Sequence, residues 1–416
     1  MAFVTKSTDR YVSEHNFDPE VRAQMSLPAR VILNDLTLRE GRQVEGVYLD
    51  LNDFQRIARK LEEVGVPMIQ LHHTPDQVRA VSELKLKVPA EVLTSSPTQT
   101  PPFTVEAQKK RIDFVLSQGF QLDLCFGTSD HLLLARQARR GEHENVESVR
   151  ERELAAALEC VVYTKSQGGI AGTNLQDFLR ADFEFLRRFC RELAGAGVDR
   201  ITFDDFAAPA IPAAYKQVFR KIKQEIPHVP LGIHVTNDFG LGTAVVLGAL
   251  EGGAEILDVG VNGYGERGGH ADLAEIAVSV TLFYGMETGI QLDRLTELSQ
   301  FVAGIFGLSL PPTKALVGNN AFADVTDVHY YYEGYPWVYR AVAAEFVGNK
   351  RRAALAGVSG PVVLQMKAKE LGIELSLRQC EHLLPVVQSA LAQRKGGVTD
   401  QELGHMLAEQ TKGGNL

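Results

Sequence analysis

Apolar residues recur along this chain in two alternating patterns. Short β-branched and leucine-rich runs at residues 30–33, 67–71, 92–95, 120–126, 168–173, 200–205, 231–234 and 256–260 read as buried strands. Amphipathic stretches lie between them. The first places Phe54, Ile57, Ala58 and Leu61 on one helical face and closes at Gly65, where a left-handed cap suits a residue without Cβ. The spacing predicts further helices over 151–165 and 182–194. The run 168–173 is the poorest of the strands, because its glycines suit either a close backbone approach or a plain loop. Strands alternating with helices over residues 29–295 predict an α/β fold, a (β/α)8 TIM barrel. An open doubly wound sheet would want a glycine fingerprint after its first strand, and this chain has none there. Residues 1–28 are polar and aperiodic and read as an N-terminal arm. Beyond about residue 295 the pattern turns to helices and loops, broken at Pro311-Pro312, so a mostly helical C-terminal lid or dimerisation region is expected over 296–416.

Composition narrows the partners. At 416 residues, with 45% hydrophobic and 23% charged, the chain can bury a large core. A net charge of -9 argues against a nucleic-acid-binding face. Cys125, Cys160, Cys190 and Cys380 are widely separated, with no C-x-x-C spacing, as expected of reduced thiols in the cytoplasm. The opening residues have no apolar signal core and no stretch reaches membrane-spanning length, so neither export nor a membrane partner is expected.

In a barrel of this kind, chemistry sits at the C-terminal ends of the strands. The polar residues there are Arg39, Glu40 and Gln43 after the first strand, His72 after the second and His131 after the fourth. Asp205 follows the sixth, His234 and Thr236 the seventh, and His270 the eighth. Glu40 can bind a hard cation, and Arg39 can hold an oxygen bound to it. An isolated Arg-Glu dipeptide is more often a loop salt bridge, and a lone strand-end histidine is more often structural. One carboxylate with two histidines from adjacent strands makes a three-ligand site for Mg, Mn or Zn, open to a chelating substrate.

The stretch Asp35-Leu36-Thr37-Leu38-Arg39-Glu40-Gly41-Arg42-Gln43 resembles the D-x-T-L-R-D/E-G-x-Q signature of the metal-dependent acyl-CoA condensing and cleaving barrels. That superfamily contains homocitrate, isopropylmalate and citramalate synthases and hydroxymethylglutaryl-CoA lyase. Residues 234–240 resemble its H-x-H-N-D-x-G, with Thr236 at the second histidine, and residues 265–271 resemble G-E-R-x-G-N-A, with His270 at the asparagine. The resemblance implies a divalent metal ion held by Glu40, His234 and His270, with one imidazole lost and one gained. Phe206 stands where the family's D-T-x-G has its threonine, and Gln176 where E-D-x-x-R has its glutamate, which puts the usual short 2-oxo acids in doubt.

Residues 310–318, 320–323 and 347–352 resemble the linker of homocitrate and isopropylmalate synthases, and His329 stands at their lid histidine. Tyr335-Pro336-Trp337-Val338-Tyr339 is similar to their N-P-x-x-Y. The lyases lack this extension, so the resemblance, over residues 29–410, favours a synthase closest in shape to homocitrate synthase. It implies a homodimeric acyltransferase that condenses acetyl-CoA or another acyl-CoA with a 2-oxo acid. His329, assisted by Tyr339, would take the α-proton and Arg39 would stabilise the alkoxide. Gln43, His72, His131, Asp205, Phe206 and Thr236 would surround the substrate. The alternatives are a metal-dependent aldolase or lyase on the same barrel, and a non-catalytic relative.

Overall fold

A computed structural model describes residues 11–332, 334–335, 338–394 and 397–412. Trp337 and Pro336 of the aromatic segment and residues 1–10 of the arm lie outside the described residues. Strands β1 (Ile32–Asp35), β2 (Met68–His72), β3 (Ala90–Thr94), β4 (Gln121–Gly127), β5 (Ala171–Gln176), β6 (Arg200–Asp205), β7 (Leu231–Val235) and β8 (Ile256–Val259) pair in chain order into a closed parallel barrel. A one-turn helix, α1 (Pro19–Arg22), precedes it. Around it run α2 (Leu51–Val64), α3 (Pro75–Ser82), α4 (Val105–Ser117), α5 (Asp130–Arg139), α6 (Val146–Ser166), α7 (Phe183–Gly195), α8 (Pro212–Glu225), α9 (Gly242–Glu251) and α10 (Leu273–Ser279). This is the TIM barrel that the alternation predicts. Helix α2 buries Phe54, Ile57, Ala58 and Leu61, and Gly65 caps it at φ 84°.

The first and fifth strands are displaced furthest from their expected limits, each for a physical reason. The fifth begins at Ala171 because Gly168, at φ +74°, turns the chain out of α6 first. The first runs on through the polar Asn34 and Asp35 because Asn34 meets a polar barrel interior and Asp35 accepts from Thr37 in the loop that follows. Asn34 Nδ2 donates to Glu91 Oε1 at 2.7 Å and to Asp258 Oδ1 at 2.9 Å. Gln70 Nε2 donates to the same Glu91 oxygen at 2.6 Å and to Asp123 Oδ2 at 3.1 Å. Arg200 pairs with Glu91 from below, over Gly172, where an added Cβ would come within 2.7 Å of the guanidinium. Burial, with Glu91 adding to it, pushes the Asp123 carboxyl well above the usual range. Apolar side chains on the outward face pack against the surrounding layer; Phe203 packs on Phe178 and Phe219, with centroids 5.0 and 5.2 Å away.

Compactness divides the chain into His15–Ser309 and a second unit of residues up to Glu14 with Leu310–Leu416. Helix α11 (Leu295–Phe306) therefore belongs with the barrel and packs against α2. The second unit holds a two-stranded parallel pair, β9 (Ala323–Asp324) and β10 (Arg352–Ala353), a short α12 (Val328–Tyr331), and helices α13 (Pro361–Glu370), α14 (Leu377–Gln393) and α15 (Asp400–Lys412). Its last three helices share their own core, including Leu364, Cys380, Leu383, Leu403 and Leu407. No helix among the described residues is long and apolar enough to cross a membrane.

Two measurements follow from the buried charges. Arg200→Ala leaves Glu91 uncompensated in the barrel, so the urea midpoint of the barrel unit should fall, with a loss of about 3–5 kcal/mol. Asp35, fully buried and accepting from Thr37 N at 2.9 Å, is pushed by burial from 3.8 to about 7. Because the folded value lies above the unfolded one, the protonated form contributes stability that is lost as pH rises from about 4 through about 7. Relative to Asp35→Asn, the wild type should therefore lose on the order of 4 kcal/mol across that window in pH-dependent unfolding.

Candidate active site

A cavity of about 450 Å³ opens at the C-terminal ends of the strands. It is lined by Arg39, Glu40, Gln43, His72, Phe206, His234 and Thr236 of the sequence-predicted set. Arg39, 6% exposed, donates through Nη1 to Gln70 Oε1 at 2.9 Å and lies 3.1 Å from Glu40 Oε1 through Nη2. Its guanidinium thus joins the polar interior to the cavity floor. Burial alone would raise the Glu40 carboxyl, but Arg39, His234, His270 and the 2.9 Å hydrogen bond from Gln43 outweigh it and hold it at about 2. Glu40 is therefore a carboxylate across the working pH range.

His234 Nε2 sits 3.9 Å from Glu40 Oε1, and its Nδ1 lies 3.4 Å from Asp258 Oδ2. Burial disfavours its charged form, yet Asp204 and Asp258 raise its pKa. His270, 4% exposed, is pushed down to about 4, chiefly by burial, and is neutral near pH 7. Its ring centroid lies 6.1 Å from that of His234, and neither of its nitrogens has a hydrogen-bond partner. Gly260 and Gly265 make room for it: a Cβ at either would come within 2.5 or 2.7 Å of a ring nitrogen. Thr236 and His270 face one another in an antiparallel bridge, which puts their side chains on the same side. The histidine missing at 236 and the one gained at 270 are thus neighbours in space. Among the described residues no three His, Cys, Asp or Glu side chains are already gathered around a common metal position. In donor chemistry the set fits a divalent cation: one ionised carboxylate, a buried imidazole at His234 whose Nε2 faces it, and a buried imidazole at His270 with both nitrogens unpartnered.

His270 is buried beside His234 and is not among the residues that line the cavity, and two other expected residues are placed elsewhere. His131 is exposed on α5, outside the cavity lining, because the helical phase turns Leu132, Arg136 and Arg139 toward the cavity instead. Asp205 faces the helix layer, where it accepts from Tyr215 Oη at 2.8 Å. Strand alternation along β6 sends its neighbour Asp204 into the cavity, in register with His234. Asp204 is 2% exposed, its Oδ1 has no partner, and burial raises its pKa. Counting residues by two inward from Arg200 would have found it.

Arg136 is the other residue that sequence reading missed, and i, i+4 spacing from Leu132 is the signal that finds it. Nearly buried, it donates to Glu153 Oε1 and to Gln99 Oε1, each at 3.2 Å, and to Gln176 Oε1. Gln176 in turn turns its Nε2 to Asp204 Oδ2 at 3.4 Å. An amide serves both neighbours, whereas a glutamate there would face Asp204 with like charge. That accounts for the exchange at this position. His72, half-buried, is pushed down to about 4 by burial and by Arg42 and Arg39, so it meets the cavity as a neutral imidazole.

His329 and Tyr339 belong to the second unit, where their ring centroids are 4.5 Å apart. His329 Nδ1 lies 3.0 Å from Asp324 Oδ1, and Asp324 is itself held by Arg340 and by Arg351 Nε at 2.8 Å. The carboxylate orients the ring.

Comparison with known proteins places this architecture. Residues 30–302 match the family model described as HMGL-like. The chain is 31% identical to homocitrate synthase AksA of Methanopyrus kandleri over 92% of this chain and 93% of that protein. It is 33% identical to (R)-citramalate synthase CimA of Methanocaldococcus jannaschii over 83% of this chain and 68% of that one, and 29% identical to the 2-isopropylmalate synthase of the same organism over 94% and 74%. Among solved structures, the HMG-CoA lyase of Bacillus subtilis superposes with a TM-score of 0.55 at 17% identity, covering 69% of this chain and 97% of that one. With its signature loop, barrel and cavity on one frame, the chain belongs to the HMGL-like family, and it is related over most of its length to the isopropylmalate, citramalate and homocitrate synthases.

Proposed function

We propose that this protein is an acyl-CoA:2-oxo acid C-acyltransferase, which condenses acetyl-CoA or another acyl-CoA with a 2-oxo acid in a Claisen-type reaction. The observation that most supports the reading is Arg39, fixed between Gln70 and Glu40 at the strand ends, with His234 Nε2 3.9 Å from the same Glu40 oxygen. A divalent ion, Mg, Mn or Zn, would be held by Glu40, His234 and His270, and when bound supplies Lewis-acid polarisation of the oxo acid. Arg39 is placed to donate to the ketone oxygen as negative charge grows there, already desolvated and needing no reorganisation. Neutral His72 and Gln43 offer hydrogen bonds to the substrate carboxylate, with Thr236 and Phe206 as walls. His329, oriented by Asp324 and backed by Tyr339, takes the proton from the acyl α-carbon. That carbon then bonds to the ketone carbon, Arg39 holds the resulting alkoxide until it is protonated, and water cleaves the thioester to release CoA and a 2-hydroxy acid. A homodimer is part of this reading.

Free-thiol release from acetyl-CoA tests it, with each metal ion and a panel of 2-oxo acids. Release should require both a particular oxo acid and a divalent ion. Arg39→Gln should lower kcat by roughly 100- to 1,000-fold and His329→Ala by a comparable factor. Release that ignores the oxo acid, or near-full turnover in His329→Ala, would count against the mechanism.

A further inference from the structure

The C-terminal unit has a cavity of its own, of about 470 Å³, that the condensation chemistry leaves unused. The β9–β10 pair forms one side of it. Successive residues of a strand face opposite ways, so Ala323 and Val325 along one strand and Arg352 and Ala354 along the other turn into the cavity. Asp324 and Arg351 turn away from it and meet each other: Arg351 Nε donates to Asp324 Oδ2 at 2.8 Å, and Asp324 Oδ1 lies 3.0 Å from His329 Nδ1. Leu355, Val398 and Leu403 make the cavity's further walls aliphatic. Two cations reach its lining, and they differ. Lys367 on α13, 5% exposed, is neutralised, with its Nζ 2.8 Å from Asp400 Oδ1 and 3.5 Å from Glu370 Oε2. Arg352 is fixed by neutral groups alone, donating through Nε to the Asn319 carbonyl at 2.9 Å and through Nη2 to Asn320 Oδ1 at 3.0 Å. Among the described residues no carboxylate pairs with it, and its Nη1 has no partner. The lining therefore presents one oriented, uncompensated positive charge against aliphatic walls. A ligand matched to it carries one carboxylate on an aliphatic body.

We propose that this cavity binds a small aliphatic monocarboxylate through Arg352, and that the β9–β10 pair links its occupancy to the Asp324–His329 contact. An anion that draws on Arg352 acts on the chain one residue from Arg351, whose guanidinium holds Asp324 from that side. Asp324 is in turn the group that orients the His329 ring. The binding stands apart from the condensation reading, and only its consequence for proton removal by His329 rests on that reading. A charge-assisted guanidinium–carboxylate contact of this kind contributes about 10- to 100-fold in affinity.

Calorimetric titration of the full chain, with Mn²⁺ present, compares isocaproate with isocaproamide, which has the same shape without the charge. The acid should bind at least about tenfold tighter. Arg352→Gln should bring the ratio close to one, Arg352→Lys should restore part of it, and Arg39→Gln should leave it unchanged. In protein labelled with ¹³C at the histidine Cε1 positions, the signal absent from His329→Gln identifies His329. That signal should move as the acid binds the wild type and stay in place in Arg352→Gln. Equal affinities in the wild type, or a preference that survives Arg352→Gln, would overturn the proposal. So would a preference abolished by Arg39→Gln, because the acid would then sit in the barrel cavity, and so would saturable binding that leaves the His329 signal unmoved. Neither readout needs turnover: this binding without thiol release would count against the condensation and leave the site standing, and thiol release without this binding would do the reverse.

Discussion

The buried Arg39 guanidinium is the interaction on which the rest depends. It joins the hydrogen-bonded interior, through Gln70, to the cavity, through Glu40. Beneath it Asn34, Gln70, Glu91, Asp123, Asp258 and Arg200 occupy positions that an ordinary barrel fills with aliphatic side chains. Charges taken out of water survive only when paired and hydrogen-bonded. Here Arg200 balances the lower carboxylates and Arg39 the upper ones, and burial beside Glu91 pushes the Asp123 carboxyl above its usual range. The arrangement sacrifices packing energy for rigid placement of the groups that face the cavity.

Much of this frame could be read directly from residue order. The 3.6-residue stripe of α2 and its glycine stop were plain, as were the strand runs with β-branched residues. Polar strands were harder, because Asn34 and Asp35 resemble loop residues until one knows that their partners Glu91, Asp258 and Thr37 wait inside. The glycine-rich fifth strand was displaced by a turn that only a positive φ at Gly168 reveals.

The site was legible as motifs and less so as directions. Arg39, Glu40, His72, His234 and Thr236 face the cavity as their strand-end positions suggest. Asp205 and His131 do not, because one residue along a strand reverses the face and one residue along a helix rotates it by about 100°. Gln176 looked like a loss, and beside Asp204 and Arg136 it is the residue that can satisfy both. His270 gained its meaning from the backbone bridge to Thr236, a contact between loops that no local pattern encodes.

The account turns on whether Glu40, His234 and His270 form one cation site. Equilibrium dialysis of the full chain against Mn²⁺, followed by elemental analysis, measures this without reference to turnover. The account predicts about one ion per chain in the wild type and loss of that ion in His270→Ala while the fold, followed by circular dichroism, is retained. No stoichiometric ion in the wild type, or an ion retained undiminished in His270→Ala, would contradict it.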